Sequence, residues 1–214
     1  MSLFNEKTKK EIQNFLDDLI NPVQIILFTQ EFECMSCKDT RLFLQEISEF
    51  SDKITLNVYD FQKDKDKVSL YNIDKIPAIV LLDNKGKDMG IKFYGLPGGY
   101  EINSFLHSLL EVSGKMSDLS EDINKRIKKI NKNIHIQVFV TLTCPYCPDA
   151  VMNAHRIALL NEMIKADMVE SSTFNHLVTK YNVSGVPKIV INEKYELVGA
   201  QPIEAFLDLI DTIS

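Results

Sequence analysis

The sequence contains no long apolar run and no excess of basic residues. No stretch approaches the roughly 20 apolar residues that a membrane-spanning helix needs, so we expect no membrane association. The formal net charge is −6, which argues against nucleic-acid binding because that function favours a basic face. The opening residues, MSLFNEKTKK, lack the apolar segment of a signal peptide. We therefore expect a cytoplasmic protein.

Cysteine is also scarce. Four cysteines in 214 residues are too few for a disulfide-stapled secreted scaffold. They form two pairs of equal spacing, Cys34 with Cys37 in CMSC and Cys144 with Cys147 in CPYC. Each pair could be a redox couple, half a zinc site or an inert pair of thiols. The halves of a four-cysteine zinc site usually lie about 15–20 residues apart, whereas half of the chain separates these pairs, so we expect no metal.

The two cysteine pairs belong to an internal repeat. Cys144 follows Cys34 by 144 − 34 = 110 positions, and the same offset places LYNIDKIPAIVL (70–81) on KYNVSGVPKIVI (180–191). Two patterns at one offset indicate a tandem duplication. The length suits two domains of about 100 residues, and the polar linker SGKMSDLS predicts a boundary between units 1–116 and 117–214.

The periodicity of apolar residues predicts an α/β chain. Short β-branched runs predict strands, and longer runs with a period near 3.6 predict helices. In the first copy we expect a helix from Asn5 or Thr8, strands at 23–28, 53–61, 77–82 and 89–95, helices at 34–50 and 101–112, and a short helix or turn at 68–73. In the second copy we expect a helix from Ser120, strands at 134–140, 187–193 and 195–200, and helices at 148–164 and 202–213.

Each cysteine pair follows a core strand and opens a helix. A helix N-terminus presents free N–H groups and about half a positive charge, which favours a thiolate. The first cysteine, Cys34 or Cys144, is therefore predicted to be the nucleophile. The second, Cys37 or Cys147, lies one turn deeper and is predicted to resolve the mixed disulfide.

Several segments together resemble a known family. Each half is similar to the thioredoxin fold, and the whole chain resembles the tandem protein disulfide oxidoreductases, glutaredoxin-like proteins of thermophilic archaea and bacteria. The resemblance implies two tandem thioredoxin-like folds, each a central mixed β-sheet flanked by helices, that exchange dithiols and disulfides with protein substrates. Redox-active disulfides would serve in place of a cofactor. The segments that carry the resemblance are NPVQIILF, CMSC, FYGLPGGYE, IHIQVFVTLTCPYCPDAV, KYNVSGVPKIVI and LVGAQP.

The resemblance also implies a substrate-binding surface beside each cysteine pair. A cis peptide bond is expected before Pro77 and before Pro187, where the proline would face the cysteines and expose backbone groups to a peptide. The residues assigned to substrate binding on this basis are Pro77, Pro187, Ile76, Val186, Tyr146 and Pro145.

The chain departs from the family pattern in three places. It has no tryptophan, whereas thioredoxins place one before the first cysteine. Their buried acid, six residues before that cysteine, is replaced by Phe28 and Val138, so proton transfer from the second thiol needs another group or water. The segment LVGAQPIE lacks the Gly-Gly-Asp-type turn of glutathione-binding glutaredoxins.

The source of electrons is expected to be another protein. No G-x-G-x-x-G fingerprint occurs, so the chain should hold no flavin or nicotinamide of its own, and we expect a thioredoxin-reductase-like flavoprotein as partner. One alternative is an electron carrier for a dedicated partner, like the tandem thioredoxin-like N-terminal part of the peroxiredoxin-reducing flavoproteins. Those usually lack cysteines in their first half. A glutathione-linked glutaredoxin is another alternative.

The two sites are expected to be unequal. Glu31 and Glu33 precede Cys34, and their negative charge opposes a thiolate there. The second copy has neutral threonines at the corresponding positions and Lys188 after its proline. We therefore predict that Cys144 is the stronger nucleophile.

Overall fold

A single sheet of eight strands runs through the computed structural model, which describes residues 2–213. The strand order is β2-β1-β3-β4-β6-β5-β7-β8. The first four strands in chain order come from the first copy and the last four from the second, with helices packed on both faces. No helix in residues 2–213 is long and apolar enough to cross a membrane.

The first copy has the predicted order of elements. Its opening helix is capped by the Asn5 side chain, which accepts a hydrogen bond from the backbone N–H of Thr8, as expected for an N-cap. A short 3-10 turn at Gly99–Glu101 precedes the last helix. The elements are α1 (Glu6–Leu16), β1 (Val23–Thr29), α2 (Cys37–Ser48), β2 (Ile54–Asp60), α3 (Lys65–Leu70), β3 (Ala78–Leu82), β4 (Asp88–Tyr94) and α4 (Ile102–Val112).

The second copy repeats this order. Its opening helix is capped by Ser120, whose side chain accepts a hydrogen bond from the backbone N–H of Ile123. The elements are α5 (Glu121–Lys129), β5 (Ile134–Val140), α6 (Cys147–Leu159), β6 (Ile164–Glu170), α7 (Asn175–Lys180), β7 (Lys188–Ile191), β8 (Tyr195–Val198) and α8 (Ile203–Thr212).

The predicted helix at 148–164 is too long, and the strand β6 that follows it was missed. Asn161 ends the helical region, because its side-chain amide donates to the carbonyls of Ile127 and Ile130 while its side-chain oxygen accepts from the N–H of Met163. These bonds fix a turn after α6. Ile164 therefore begins a strand, although the apolar periodicity alone continues the helix through it.

The two copies share one sheet rather than forming one sheet each. β4 pairs in parallel with β6, from Ile91 opposite Ala166 to Tyr94 opposite Val169. This pairing places β6 in the middle of the sheet, where it is almost entirely buried, whereas its counterpart β2 lies at the outer edge and is mostly half-buried. The boundary at residue 116 stays a prediction.

The strand hairpins after the two prolines are equivalent but differ in length. Gly95 donates its N–H to the carbonyl of Pro77, and Gly199 donates to the carbonyl of Pro187. From proline to glycine, the first hairpin spans 95 − 77 = 18 positions and the second spans 199 − 187 = 12. As a result β8 spans four residues and β4 spans seven.

One hydrophobic core extends under both copies. It includes Leu27, Phe93, Val138 and Met168 on the face of the sheet that α2, α4 and α6 cover. A smaller cluster with Phe28 and Phe139 occupies the opposite face, against the region of α3 and α7. Alternate residues of β1 and β5 enter opposite clusters, as the twofold periodicity of a strand requires.

Candidate active sites

The first cysteine pair lies at the start of α2. Cys34 and Cys37 form a disulfide whose Cα atoms are 5.5 Å apart. Cys37 is the first residue of the helix and is buried, whereas Cys34 is partly exposed. The sulfur of Cys34 is therefore the one that a substrate can reach, which agrees with the predicted order of access.

The second pair has the same geometry at the start of α6. Cys144 and Cys147 form a disulfide with the same Cα separation of 5.5 Å. Cys144 is 8% exposed and Cys147 is fully buried. Tyr146, in the N-cap position, is largely exposed and forms part of the rim of the site. Pro148 lies in the first turn, where its missing N–H costs no helical hydrogen bond.

The residues that precede the two predicted prolines lie near the cysteines. The Ile76–Pro77 and Val186–Pro187 peptide bonds are both cis, as the resemblance implies. The carbonyl oxygen of Val186 is 3.9 Å from the Sγ of Cys144, and Ile76 lines the same cleft as Cys34. The structure thus brings each predicted backbone segment to its cysteine pair, while the roles in substrate binding stay predictions.

Both sites open at the same edge of the sheet. β1 and β5 run in the same direction, because β1 is antiparallel to β3, β3 is antiparallel to β4, and β4, β6 and β5 are mutually parallel. β1 and β5 are four strand spacings apart in the sheet. At about 4.8 Å per spacing, the distance between these two strands is about 19 Å. A cleft of about 740 Å³ opens beside Cys34, and residues from both copies line it.

A buried carboxyl group near the second site was not predicted from the sequence. Glu101 is fully buried, its Oε1 has no hydrogen-bond partner in residues 2–213, and its Oε2 accepts from the hydroxyl of Ser104. Burial raises the pKa of this carboxyl to about 7, and the charge of Asp149 adds to the effect. A carboxyl group with this pKa can accept a proton at neutral pH, so Glu101 is a candidate for the missing base.

The turn that carries Glu101 is joined to the loop before Cys144. Tyr100 donates its N–H to the carbonyl of Leu142 at 3.0 Å. Gly99 has φ +57, and a Cβ there would lie 2.2 Å from the same carbonyl oxygen. Only glycine fits this close approach at positive φ. The segment GLPGG is thus a contact between the first copy and the second site.

Lys188 does not act as the free cation predicted near Cys144. Its Nζ donates to the carbonyl of Tyr181 at 2.6 Å and lies 2.9 Å from a carboxylate oxygen of Glu196. The side chain is buried, so its charge is compensated inside the second copy. The inequality predicted for the two sites therefore depends on the acids beside Cys34 alone.

The ionisable residues of the described part of the chain were compared with the requirements of a metal site. Within residues 2–213, no group of three or more His, Cys, Asp and Glu residues is placed to hold one.

Comparison with known proteins identifies the family. Residues 134–211 match the family model described as a thioredoxin domain. A solved structure of the NTD_N/C domain of the alkylhydroperoxide reductase AhpF from Enterococcus faecalis V583 is 30% identical, with a TM-score of 0.91, over 97% of this chain and 99% of that one. A protein disulfide oxidoreductase from Aeropyrum pernix K1 is also 30% identical, with a TM-score of 0.90, over 97% of this chain and 92% of that one. The chain belongs to the tandem thioredoxin-fold proteins.

This tandem thioredoxin-fold protein also matches longer relatives. It is 28% identical over 210 residues to the F component of the alkyl hydroperoxide reductase of Escherichia coli K12, a match that covers 98% of this chain and 38% of the relative. The chain thus spans less than half the length of that relative. At the level that the relatives share, the tandem thioredoxin-fold protein is a thiol–disulfide oxidoreductase with two C-x-x-C sites, and its redox-active groups are the two disulfides.

Proposed function

We propose that this protein is a protein disulfide oxidoreductase that exchanges its two cysteine pairs with the disulfides and thiols of other proteins. The observation that carries the proposal is that both copies contain all the elements of the site. Each has a C-x-x-C pair at a helix start with a cis proline beside it. A carrier that serves one partner needs only one such site.

The reduction of a substrate proceeds in two exchanges. The thiolate of Cys34 or Cys144 attacks one sulfur of the substrate disulfide, so that a mixed disulfide forms and the other substrate sulfur leaves as a thiolate. The thiolate of Cys37 or Cys147 then attacks the mixed disulfide, which releases the second substrate thiolate and closes the protein disulfide. Two electrons pass to the substrate, and its two thiolates take up protons. The reverse sequence oxidises a substrate dithiol.

The resolving thiol of the second site is fully buried and must lose its proton to react. Glu101 is the proposed acceptor, because its carboxyl is buried, has one unpartnered oxygen among residues 2–213 and has a pKa of about 7. The backbone at Ile76 and Val186, next to Pro77 and Pro187, is the proposed docking edge for the substrate peptide. Pro145 and Tyr146 form the rim of the second site.

The electrons come from another protein in this proposal. A thioredoxin-reductase-like flavoprotein in the cytoplasm would reduce the disulfides after each turnover. The second candidate function is an electron carrier between such a flavoprotein and a peroxiredoxin-type partner. The similarity to the alkyl hydroperoxide reductases favours it. The function of a glutathione-linked glutaredoxin is less favoured, because the segment LVGAQPIE lacks the Gly-Gly-Asp-type turn of glutathione-binding glutaredoxins.

The test is the range of substrates. The protein, reduced beforehand and freed of reductant, is mixed with insulin, with a second unrelated disulfide protein and with an oxidised two-cysteine peroxiredoxin. Reduction of all three at comparable rates is expected. Reduction of the peroxiredoxin alone would assign the carrier function instead. The Cys34→Ser/Cys144→Ser double variant is the matched control, since it keeps the fold but lacks both nucleophiles.

A further inference from the structure

The cleft beside Cys34 is built from both copies. Its first-copy wall includes Glu33, Met35 and Asp39, and its second-copy wall includes Leu142, Glu170 and Thr173. A hydroxyl–hydroxyl contact of 3.3 Å between Ser36 and Thr173 links the walls. Any substrate that reaches Cys34 through this cleft therefore contacts the second copy as well.

The charged lining of the cleft is entirely acidic. Glu33, Asp39 and Glu170 line it, and no lysine, arginine or histidine of the described chain does. Glu33 and Asp39 are exposed. Among the ion pairs of residues 2–213, none involves any of these three acids. The cleft thus presents negative charge that no protein cation compensates by direct pairing.

A comparison of the two copies explains why Glu170 stays uncompensated. Glu170 corresponds to Asp60 at the repeat offset, and both carboxylates accept backbone N–H bonds from the loop that follows their strand. In the first copy Lys63 lies 3.6 Å from Asp60. The corresponding residue in the second copy is Thr173, whose hydroxyl donates to Glu170 at 2.7 Å without adding charge. Glu170, unlike Asp60, therefore has no lysine beside it. Glu170 is buried next to the cleft, at the end of the central strand β6.

Apolar groups complete the surface. Met35 is 100% exposed between the two cysteines, and Phe32 is also exposed. Ile76, Leu96 and Leu142 line the cleft. The combination of apolar contacts and unpaired carboxylates is complementary to a polypeptide that carries both apolar and cationic side chains.

We propose that the first site acts on disulfides in cationic polypeptide segments that have an apolar side chain near the cysteine. The proposal rests on the proposed function and names the substrate class of one of its two sites. The second site does not share the selectivity. Thr143 and Pro145 replace Glu33 and Met35 there, and of the two exposed acids only the counterpart of Asp39, Asp149, is retained.

The test isolates the first site in a Cys144→Ser/Cys147→Ser background. Two disulfide-linked peptides are compared that have the same apolar residue beside the cysteine and either lysines or glutamates around it. At low ionic strength we expect kcat/KM for the cationic peptide to be about tenfold higher, mostly through KM. The ratio should fall below about twofold near 1 M salt, where the Debye length is about 3 Å.

Two kinds of variant test the origin of the preference. Glu33→Gln/Asp39→Asn should lower the ratio to about threefold, and Thr173→Lys should lower it independently by restoring the cation that the first copy has. Asp149→Asn is the matched control and should leave the ratio unchanged. Because the acids beside Cys34 also affect its reactivity toward every substrate, the ratio of the two peptides, rather than either rate, measures docking.

The outcomes separate the two proposals. Equal kcat/KM for both peptides, or a preference that the charge variants leave intact, would overturn the inference while the oxidoreductase function stands. Failure of the isolated first site to reduce either peptide, in a variant with a native circular dichroism spectrum, would reject the inference together with the function proposed for that site.

Discussion

The Nε of Arg156 donates a hydrogen bond to Oε1 of Glu111 at 2.6 Å, and this ion pair joins α6 of the second copy to α4 of the first. The side chains are 17% and 2% exposed. Ser117 also donates to the same carboxylate oxygen. The polar contacts between the copies thus include a largely buried charge pair.

Removal of the cation should destabilise the protein strongly. In Arg156→Ala the carboxylate of Glu111 stays buried without a charged partner, so we expect the free energy of unfolding to fall by about 3–5 kcal/mol. Urea denaturation measures this. Lys125→Ala, which removes an exposed pair with Glu121, is the control and should cost less than about 1 kcal/mol. Equal losses in the two variants would contradict the role of the buried pair.

His155 should make the protein less stable in acid. It lies between Ser108, whose hydroxyl is 3.0 Å from Nδ1, and the edge-on ring of Phe93, while its Nε2 is buried without a partner in residues 2–213. Burial lowers the pKa of His155 to about 3. An unfolded histidine binds a proton near pH 6.5, so stability should fall as the pH drops from about 6.5 to 3, by at most about 5 kcal/mol.

The measurement is the free energy of unfolding against pH for the wild type and for His155→Gln. The wild type should lose stability relative to the variant through this window. The exposed His176→Gln should follow the wild-type curve. A constant difference between wild type and His155→Gln from pH 7 to pH 4 would refute the assignment.

Glu101 should have the opposite linkage and a functional effect. Its pKa is about 7 in the fold and about 4.3 when unfolded, so the folded state binds the proton more tightly. Its contribution to stability therefore rises as the pH falls from about 7 to 4.3 and is lost above pH 7. In catalysis Glu101→Gln should slow the second site about a hundredfold, the lower end of the range for a general base. The mixed disulfide of Cys144 should accumulate in that variant.

The first site provides the control for Glu101→Gln. Its rate, measured in a Cys144→Ser/Cys147→Ser background, should be unchanged by the substitution. An undiminished rate of mixed-disulfide resolution at the second site would show that another group or water takes the proton of Cys147.

Gly99→Ala should disturb the second site through the backbone. Its Cβ would meet the carbonyl oxygen of Leu142 at 2.2 Å, in a conformation with positive φ. We expect a loss of about 2 kcal/mol or more in unfolding free energy and a slower second site. Gly185→Ala is the control, because a Cβ there meets nothing within 4 Å. Thermal unfolding of the two variants makes the comparison, and equal melting temperatures would contradict it.

The charge argument for unequal sites predicts that Cys144 forms a thiolate at lower pH than Cys34. Glu33 precedes Cys34 without an ion pair in residues 2–213, whereas Glu31 is paired with Arg41. One exposed charge contributes about 0.3–1 kcal/mol, which is less than one pH unit. Alkylation rates against pH in single-site variants would measure the order. The reverse order would overturn the argument.

The sequence predicted the elements that local patterns determine. Apolar periodicity predicted that both cysteine pairs lie at helix starts, because that relation is confined to one copy, whereas the position of Pro77 and Pro187 opposite the cysteines was implied by the family resemblance. The family resemblance, rather than any local pattern, implied the cis bonds. The predicted end of α6 was wrong because two hydrogen bonds of the Asn161 side chain run to residues more than 30 positions away, which no periodicity encodes.

The features between the copies could not be predicted. Nothing in the sequence of β4 or β6 indicates that these two strands pair with each other, so one sheet in each copy was expected. Glu101 follows a turn and begins a helix, a common place for an exposed acid. Its turn instead packs against the second copy through the Tyr100–Leu142 hydrogen bond, and burial raises its pKa. The prediction for Lys188 was wrong for a different reason, since Glu196 of the neighbouring strand in the same copy pairs with it.

The β4–β6 junction is a heterologous contact. β6 is the counterpart of β2, and β8 is the counterpart of β4. The strands at the two outer edges of the sheet, β2 and β8, are therefore equivalent to the two strands, β6 and β4, that pair at its centre. A head-to-tail contact of this type does not close on itself and could add further copies into a filament. β8 differs from β4 in having four residues instead of seven, and a short edge strand is a poor template for pairing. The shortened hairpin after Pro187 therefore leaves β8 as a short edge strand, which disfavours the pairing of a further strand there.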